Sequence, residues 1–437
     1  MGFWTSAIFM ASSWKRFGVT SNNAINYRSM KTLYGTLFLV IACSLLAVPV
    51  AAQDLAINNV RIIVGNGQVV EQGTILIRGG RIVSAAAGAA AAPGVRAIDG
   101  RGLTAVPGYI DAHRHIVGGR NAEAWLKDEA PTRMREFLEA GYTTLMSGGG
   151  AAEPVVALKK AIDSGQMKGP RIIPSAPLQV GGNATPESAR DAIRKMAAAD
   201  IHFTGEVRVD NVNPDPKELK VIAAAADEGK KVGVDVAVHA ATVVAMLAAV
   251  KAGVPKLVHT PHGQWATDAD AQAVKAAGIH VSSCTGFGAP VFNVFNKDNA
   301  PTFRDGGKWP DAIGGEGRGR EAGLKPVNGR TLFDNGVVYG YCTDTGYLPL
   351  WGLAQELRVL NLMFSPIDLV KILGPNSATW INMSKDLGTL EAGKIADIVL
   401  LGGNPLDGTP LNGYWDFLNV QVTIKGGELL VDKRAAK

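Results

Sequence analysis

Eight short apolar runs alternate with helical patterns through the middle of this 437-residue chain. We predict strands over 104–111, 142–147, 170–175, 200–206, 232–239, 256–260, 278–284 and 337–343. Apolar residues recur at helical spacing between most of these runs, for example over 216–228 and 241–252. Such alternation implies a parallel sheet, and eight repeats imply that the sheet closes. The pattern therefore predicts an α/β chain with a (β/α)8 TIM barrel, whose strand ends form one mouth.

The two ends of the chain have a different pattern. Residues 54–106 alternate in period two with glycine turns, and the stretch from 397 onwards repeats that pattern. We predict a small β-sandwich domain built from 53–106 and 386–437, with the barrel as the catalytic domain over 107–385. The loop over about 286–335 is long for a barrel connection, and loops of that length often act as lids or substrate walls.

The first 52 residues resemble a leader. Residues 30–52 have a basic start at Lys31, an apolar middle and small residues before Gln53. This is the pattern of a secretory signal peptide cleaved after Ala52, so residues 1–29 are interpreted as an upstream extension. We expect export to a bacterial periplasm or secretion, with a lipid-anchored form through Cys43 as an alternative. No stop-transfer charges follow the apolar run, so we expect no transmembrane span in the mature form.

The charge balance excludes a nucleic-acid partner. The formal net charge is +5, but residues 1–52 hold four basic residues and no acidic one, so the remainder carries only +1. A nearly neutral body without a basic stripe gives no electrostatic footprint for nucleic acid. Beyond the leader only Cys284 and Cys342 remain. Both fall in predicted inner strands, where we expect buried thiols.

Metal-binding residue types stand at the ends of five predicted strands. His113 and His115 are two apart, so both side chains point to the same face of the first strand. Asp111 has the same parity and lies one step deeper, where it could orient a ligand imidazole. Further along, the fourth strand ends at Glu206, whose two oxygens can bridge two cations.

The remaining strand ends complete a two-metal site. His, Glu and Asp are the ligand types that hold borderline cations such as Zn²⁺. We predict two divalent metal ions, Zn with Fe or Mn as alternatives. Their predicted ligands are His113, His115, Glu206, His239, His259 and Asp344. Asp344 is also predicted to move the proton between the attacking water and the leaving nitrogen, rather than to cap the next helix.

Three further histidines are assigned separately. His202 shares the parity of Glu206 but lies about 13 Å deeper along the strand, so we expect it to be packed or hydrogen-bonded. His280 opens the seventh strand at the opposite end and is predicted to be structural. His262 is a candidate catalytic residue that could polarise the substrate, or it could simply be exposed, and the sequence leaves both interpretations open.

These motifs resemble the amidohydrolase superfamily, in particular its imidazolonepropionase-like members. The resemblance rests on residues 106–115, the histidines of the fifth and sixth strands, the aspartate of the eighth, and the tail 387–405. It implies a metal-dependent hydrolase. Many members bridge their metals with a carbamylated lysine on strand four, yet no lysine occurs between Lys195 and Lys217. The segment around Glu206 is instead similar to the enamidase branch, which implies a ring amide as substrate.

The predicted reaction is hydrolysis of a C–N amide bond, as in a cyclic amide or lactam, by a hydroxide that bridges the metals. A metal-dependent deaminase is the alternative enzyme, and a metal-stabilised binding protein without turnover is an alternative of another class. The expected partner is a small-molecule amide, with a homo-oligomer as a further possibility.

Overall fold

The computed structural model describes residues 54–88, 94–118, 121–286, 318–346, 348–407 and 413–434. All of them belong to one compact unit, Ala52–Lys437. The predicted leader over residues 1–52, with Cys43, lies outside the described residues, as do residues 287–317 of the predicted long loop. No helix within the described ranges is both long and apolar enough to cross a membrane.

Strands from both ends of the chain form one eight-stranded sheet. They are β1 (Leu55–Ile63), β2 (Val69–Arg78), β3 (Arg81–Ala87), β4 (Arg96–Asp99), β5 (Thr104–Pro107), β14 (Ile398–Leu401), β15 (Val420–Lys425) and β16 (Glu428–Asp432). Their order is β16-β15-β14-β5-β1-β2-β3, and β4 pairs with β1. Because β14 pairs antiparallel with β5, the sheet joins the two ends of the chain directly. Its arrangement as a sandwich stays a prediction.

The body of the chain forms two parallel sheets. The first contains β6 (Tyr109–Arg114), β7 (Tyr142–Ser147) and β8 (Arg171–Ile173) in sequence order. The second contains β9 (Val207–Arg208), β10 (Ala237–His239), β11 (Lys256–Val258), β12 (His280–Ser282) and β13 (Tyr339–Gly340), again in sequence order. Backbone contacts link the two sheets, through a parallel bridge between Ala176 and Thr204 and through the Ala112 N–H, which donates to the Tyr341 carbonyl at 3.0 Å.

Two predicted strands differ from the observed ones. The run 104–111 is divided at Gly108, since β5 belongs to the eight-stranded sheet and β6 belongs to a parallel sheet. A Cβ on Gly108 would lie 2.4 Å from the Thr143 side chain, so the chain can pass between the sheets here only with glycine. The run 200–206 contributes only isolated bridges at Phe203 and Thr204, and the strand β9 begins after it.

Helices follow most of the parallel strands. They are α1 (Ala122–Asp128), α2 (Ala130–Glu139), α3 (Ala152–Asp163), α4 (Pro186–Ala198), α5 (Pro216–Val232), α6 (Val243–Lys251), α7 (Asp268–Ala276), α8 (Arg318–Asp334), α9 (Pro349–Leu360), α10 (Pro366–Lys371), α11 (Ser377–Trp380) and α12 (Gly413–Leu418). The sequence explains the bounds of α5, because Asp215 caps its first turn, Pro216 occupies its first position, and Gly233 ends it in the left-handed conformation.

Side chains from both parallel sheets share one apolar cluster. Its strand-borne and strand-end members are Ile110, Ala112, Met146, Phe203, Ala237, Val258, Cys284 and Cys342. Cys284 and Cys342 are buried, but they form a disulfide, so the prediction of thiols was wrong. The reason lies in the register: β12 pairs with β13 through Ser282 and Gly340, which places the two cysteines side by side just beyond the strands.

Candidate metal centre

The strand β6 and the segment that follows it place two imidazoles next to Asp344. His113 is buried, whereas the His115 side chain is about half exposed. The Asp344 Oδ1 atom lies 3.3 Å from Nε2 of His113 and 3.1 Å from Nε2 of His115. The period-two prediction for this strand is consistent with both rings reaching the same carboxylate.

Glu206 lies among three histidines. Its Oε2 atom is 2.8 Å from Nδ1 of His239, 3.2 Å from Nε2 of His259 and 3.8 Å from Nε2 of His113. Its backbone N–H donates to the Gly148 carbonyl at 3.1 Å, which fixes the residue just before β9. One carboxylate therefore contacts ligand candidates from three different strand ends.

The backbone is left-handed at three consecutive strand ends. The φ angles are 74° at His259, 45° at Cys284 and 49° at Asp344. Residues other than glycine rarely adopt this conformation, and it costs on the order of 1–3 kcal/mol unless the surroundings enforce it. Two of these three residues, His259 and Asp344, are candidate ligands. The backbone strain therefore lies at positions whose side chains must point into the mouth formed by the strand ends.

The six predicted ligands form two overlapping groups. One contains His113, His115, Glu206 and Asp344, and the other contains Glu206, His239 and His259. The ligand atoms within each group lie within 4.8 Å of one another. In addition, Nε2 of His113 and Oδ1 of Asp344 are buried without a hydrogen bond of good geometry among the described residues. Both the donor set and these unsatisfied atoms fit bound divalent cations.

The protonation states of three candidate ligands also favour cation binding. Burial alone would raise the pKa of Glu206, but hydrogen bonds with His239 and His259 hold that pKa well below its usual range. Burial would also raise the pKa of Asp344, but the close approach of the His113 and His115 imidazoles holds that pKa well below its usual range. Burial lowers the pKa of His259 to about 4. At neutral pH the site therefore presents ionised carboxylates and a neutral His259, the forms that bind metals.

The other histidines lie where the sequence placed them. His202 is hydrogen-bonded, with Nδ1 at 2.9 Å from the Gly233 carbonyl and Nε2 at 3.0 Å from Asp200. Nδ1 of His280 accepts from Lys256 at 2.9 Å. His262 is half-buried in the segment after β11, and its backbone N–H donates to the Ala241 carbonyl at 2.7 Å. Its catalytic role stays a prediction.

The hydrogen-bond partners of Asp111 differ from the predicted imidazole. Asp111 was expected to orient an imidazole, but its Oδ1 accepts the backbone N–H groups of His113 and Thr343, at 3.3 and 3.2 Å. No role was predicted from the sequence for Arg114, whose side chain is fully buried, or for Gly148, which lies against the His113 ring. The three glycines at 148–150 were a visible signal that the backbone passes close to the site.

Comparisons with known proteins identify the family of this chain. The profile of the Amidohydrolase family matches residues 104–430. Imidazolonepropionase from Caldanaerobacter subterraneus subsp. tengcongensis is 22% identical over 417 residues, covering 83% of this chain and 91% of that protein.

Solved structures share the fold. A Bifidobacterium longum protein with a provisional prolidase assignment superposes with a TM-score of 0.72 at 23% identity, over 88% of this chain and 97% of that one. A Xaa-Pro dipeptidase with bound methionine gives a TM-score of 0.68 at 21% identity, over 86% and 99%. Because the family match spans most of the chain and includes all six candidate ligands, this protein belongs to the amidohydrolase family and is a metal-dependent hydrolase of C–N bonds.

Proposed function

We propose that this protein hydrolyses the C–N bond of a ring amide with the help of two divalent cations. The observation that carries the proposal is the position of Glu206, which belongs to both ligand groups. A carboxylate shared by two groups can bridge two adjacent cations, which supports a two-metal centre.

Each residue of the centre has a proposed role. His113, His115 and Asp344 would hold one cation, His239 and His259 the other, and Glu206 both; we propose Zn²⁺, with Fe or Mn as alternatives. When bound, such a pair acts as a Lewis acid and lowers the pKa of water toward neutrality.

Asp344 is the proposed proton carrier. Its Oδ1 faces His113 and His115, while its Oδ2 lies 3.5 Å from Nε2 of His259. Since its pKa is held low, the carboxylate is ionised at neutral pH and can accept a proton from the attacking water. It then returns that proton to the leaving nitrogen. His262, in the segment after β11, is proposed to polarise the substrate carbonyl.

The proposal of a ring amide as substrate rests on Glu206 as the residue that bridges the two cations. No lysine between Lys195 and Lys217 is available for carbamylation, so Glu206 takes the bridging position, as in the enamidase branch. The similar protein from Caldanaerobacter is named for imidazolonepropionate, a ring compound, which supports the same substrate class.

We also propose the finer features of the fold and location. The Ala112–Tyr341 hydrogen bond and the Ala176–Thr204 bridge support closure of the parallel sheets into a (β/α)8 barrel over 107–385, beside a sandwich of 53–106 and 386–437. The signal-like pattern of residues 30–52 supports export, as a soluble or Cys43-anchored form. Intact-mass measurement of protein recovered from the periplasm tests this, because cleavage after Ala52 gives a chain that begins at Gln53.

The reaction is tested with a panel of lactams, other cyclic amides, linear amides and amino-substituted heterocycles, assayed for product and released ammonia. We expect metal-dependent opening of at least one cyclic amide without ammonia. Ammonia release from the heterocycles alone would instead support a deaminase. Two bound cations without turnover on any compound would favour the binding-protein alternative.

Two variants test the residue roles. Glu206→Ala should lose the second cation, measured by elemental analysis, because neither ligand group stays complete. Asp344→Asn should lower kcat by roughly 10²–10⁴-fold, the usual contribution of general acid–base catalysis. The exposed Glu187→Ala variant is the matched control and should keep both metals and full rate. Two cations in Glu206→Ala would refute the bridge, and full turnover in Asp344→Asn would refute the proton carrier.

A further inference from the structure

Three polar side chains are buried directly beneath the candidate metal centre. Asp111, Arg114 and Thr343 are each 3% exposed or less. Burying a carboxylate and a guanidinium is expensive unless each group is paired and hydrogen-bonded. Their presence at this depth indicates a specific role for their mutual contacts.

The Thr343 hydroxyl joins the other two groups. Its Oγ1 donates to Oδ2 of Asp111 at 2.6 Å and accepts from the Arg114 guanidinium at 2.9 Å. A hydroxyl has one hydrogen to donate, and the Asp111 carboxylate can only accept. The direction of both bonds is therefore fixed, and the three side chains have one consistent hydrogen-bonding arrangement.

Arg114 is held on its other sides by packing. Its guanidinium carbon lies 4.7 Å from the centroid of the Phe137 ring, and a Cβ added to Gly352 would lie 3.0 Å from its Nη1. Its Nη1 is also 3.5 Å from Oδ2 of Asp111. The planar guanidinium thus has little freedom to turn away from Thr343.

The contacts continue into the backbone of the ligands. Oδ1 of Asp111 accepts the backbone N–H groups of His113 and Thr343. The next N–H, that of Asp344, donates to the His113 carbonyl at 3.0 Å. Asp344, whose backbone is left-handed, directly follows Thr343 in the chain. The hydrogen bonds of the Thr343 and Asp344 N–H groups therefore hold the backbone at this strained residue.

We propose that Arg114 and Thr343, acting through Asp111, are positioning residues that hold His113 and Asp344 at the spacing needed for cation binding. This inference rests on the proposed function, because it assigns a purpose to the same centre. Partners that orient metal ligands typically change metal affinity by 10–100-fold when they are removed.

The test compares two substitutions at one position. Thr343→Val removes the hydroxyl at nearly constant shape, while Thr343→Ser restores it. Metal-free protein is titrated with Zn²⁺ against a chromophoric chelator under conditions in which circular dichroism shows a folded chain. We expect Thr343→Val to bind Zn²⁺ 10–100-fold more weakly than wild type, and Thr343→Ser to recover most of that loss.

A remote threonine provides the matched control. Thr423 in β15 is also fully buried, and its hydroxyl donates to the Leu138 carbonyl at 2.7 Å. Thr423→Val should be destabilised in urea to a similar extent as Thr343→Val, yet keep wild-type Zn²⁺ affinity. This comparison separates positioning from a general loss of stability.

A second variant protects the test against misfolding of the first. Arg114→Met should weaken Zn²⁺ binding in the same range. If both Thr343→Val and Arg114→Met bind Zn²⁺ like wild type, the positioning role is overturned while the two-metal proposal stands. If the wild-type protein takes up no Zn²⁺ at all, both proposals fail.

Discussion

At the scale of single residues, Gly148 leaves space for the His113 ring. A Cβ built on Gly148 would lie 2.7 Å from Nε2 of His113, closer than real Cβ contacts allow. The Gly148 backbone also donates to the Arg114 carbonyl at 2.8 Å and accepts from Glu206, so it cannot shift freely. We therefore expect Gly148→Ala to displace the ring and weaken Zn²⁺ binding at least tenfold, measured by competition with a chelator.

A nearby glycine gives the control for this prediction. A Cβ on Gly346 would meet no described atom within 4 Å, and its φ is not in the left-handed region. Gly346→Ala should therefore leave the Zn²⁺ affinity of the protein unchanged. Equal affinities in the two variants would show that the His113 ring has room that the structure does not indicate.

The sequence predicted which residues form the candidate site, but it did not predict the backbone conformation of those residues. The parity of His113 and His115, together with the missing lysine near Glu206, led to the ligand set without any coordinates. The left-handed backbone at His259 and Asp344 left no trace in composition, because it is imposed by neighbouring strands. The Arg114–Thr343 contact was equally hidden, since 229 positions separate the two residues.

At the scale of elements, a disulfide joins the segments that follow β12 and β13. Cys284 and Cys342 are 58 residues apart in sequence. A cross-link that closes a loop of this length lowers the entropy of the unfolded chain by an amount worth about 4 kcal/mol. The double variant Cys284→Ala, Cys342→Ala should lose stability of up to that order, measured by urea unfolding.

Unfolding with and without a reducing agent distinguishes the stability that comes from the disulfide from the stability that comes from packing of the two side chains. Wild type should become less stable in reductant, whereas the double variant should not respond, because it has no disulfide to break. A wild-type protein that unfolds at the same urea concentration with and without reductant would contradict the disulfide. Burial of both cysteines was predictable from their apolar strands, but their pairing depends on the register between β12 and β13.

Element types were more predictable than element bounds. The helical pattern over 216–228 predicted α5, and the structure has the helix over Pro216–Val232, four residues longer at its C-terminal end. Most inner strands are shorter than their apolar runs; the run 256–260, for example, contains the strand Lys256–Val258. An apolar run reports burial on both faces, whereas a strand also needs a hydrogen-bonded neighbour at each position.

At the scale of the whole molecule, the Asp397 carboxylate connects the eight-stranded sheet to the parallel sheet of β6, β7 and β8. Oδ2 of Asp397 lies 2.7 Å from the Arg171 guanidinium on β8, and its Oδ1 accepts the Gly426 N–H at 2.7 Å. Its backbone carbonyl accepts the N–H of Gly108, where the chain passes from one sheet to the other. The sequence suggested that the two ends of the chain meet, but these contacts depend on the relative placement of sheets, which no local pattern encodes.

The stability of the whole chain should also depend on pH through two histidines with opposite behaviour. Hydrogen bonds to the Gly233 carbonyl and Asp200 raise the pKa of the half-exposed His202 above its usual 6.5. Its contribution to the free energy of unfolding is complete below pH 6.5 and is lost as pH rises through the folded-state pKa. Burial and the Lys256 charge lower the pKa of His280 to about 4. This histidine stays neutral in the folded chain, so it costs stability as pH falls from about 6.5 to 4.

Two glutamine variants separate these contributions. The stability lost in His202→Gln, measured by urea unfolding relative to wild type, should be largest at pH 5.5 and smallest at pH 9, because only the protonated imidazole donates from both nitrogens to the Gly233 carbonyl and the Asp200 carboxylate. His280→Gln should show the reverse trend, since glutamine avoids the acid-linked cost of the buried ring. A stability difference for His202→Gln that does not change between these pH values would mean that His202 has the same pKa in the folded and the unfolded chain, against the raised pKa expected here. Of these two histidines, only His280 would then contribute to the pH dependence of stability, as a loss of stability when pH falls from about 6.5 to 4.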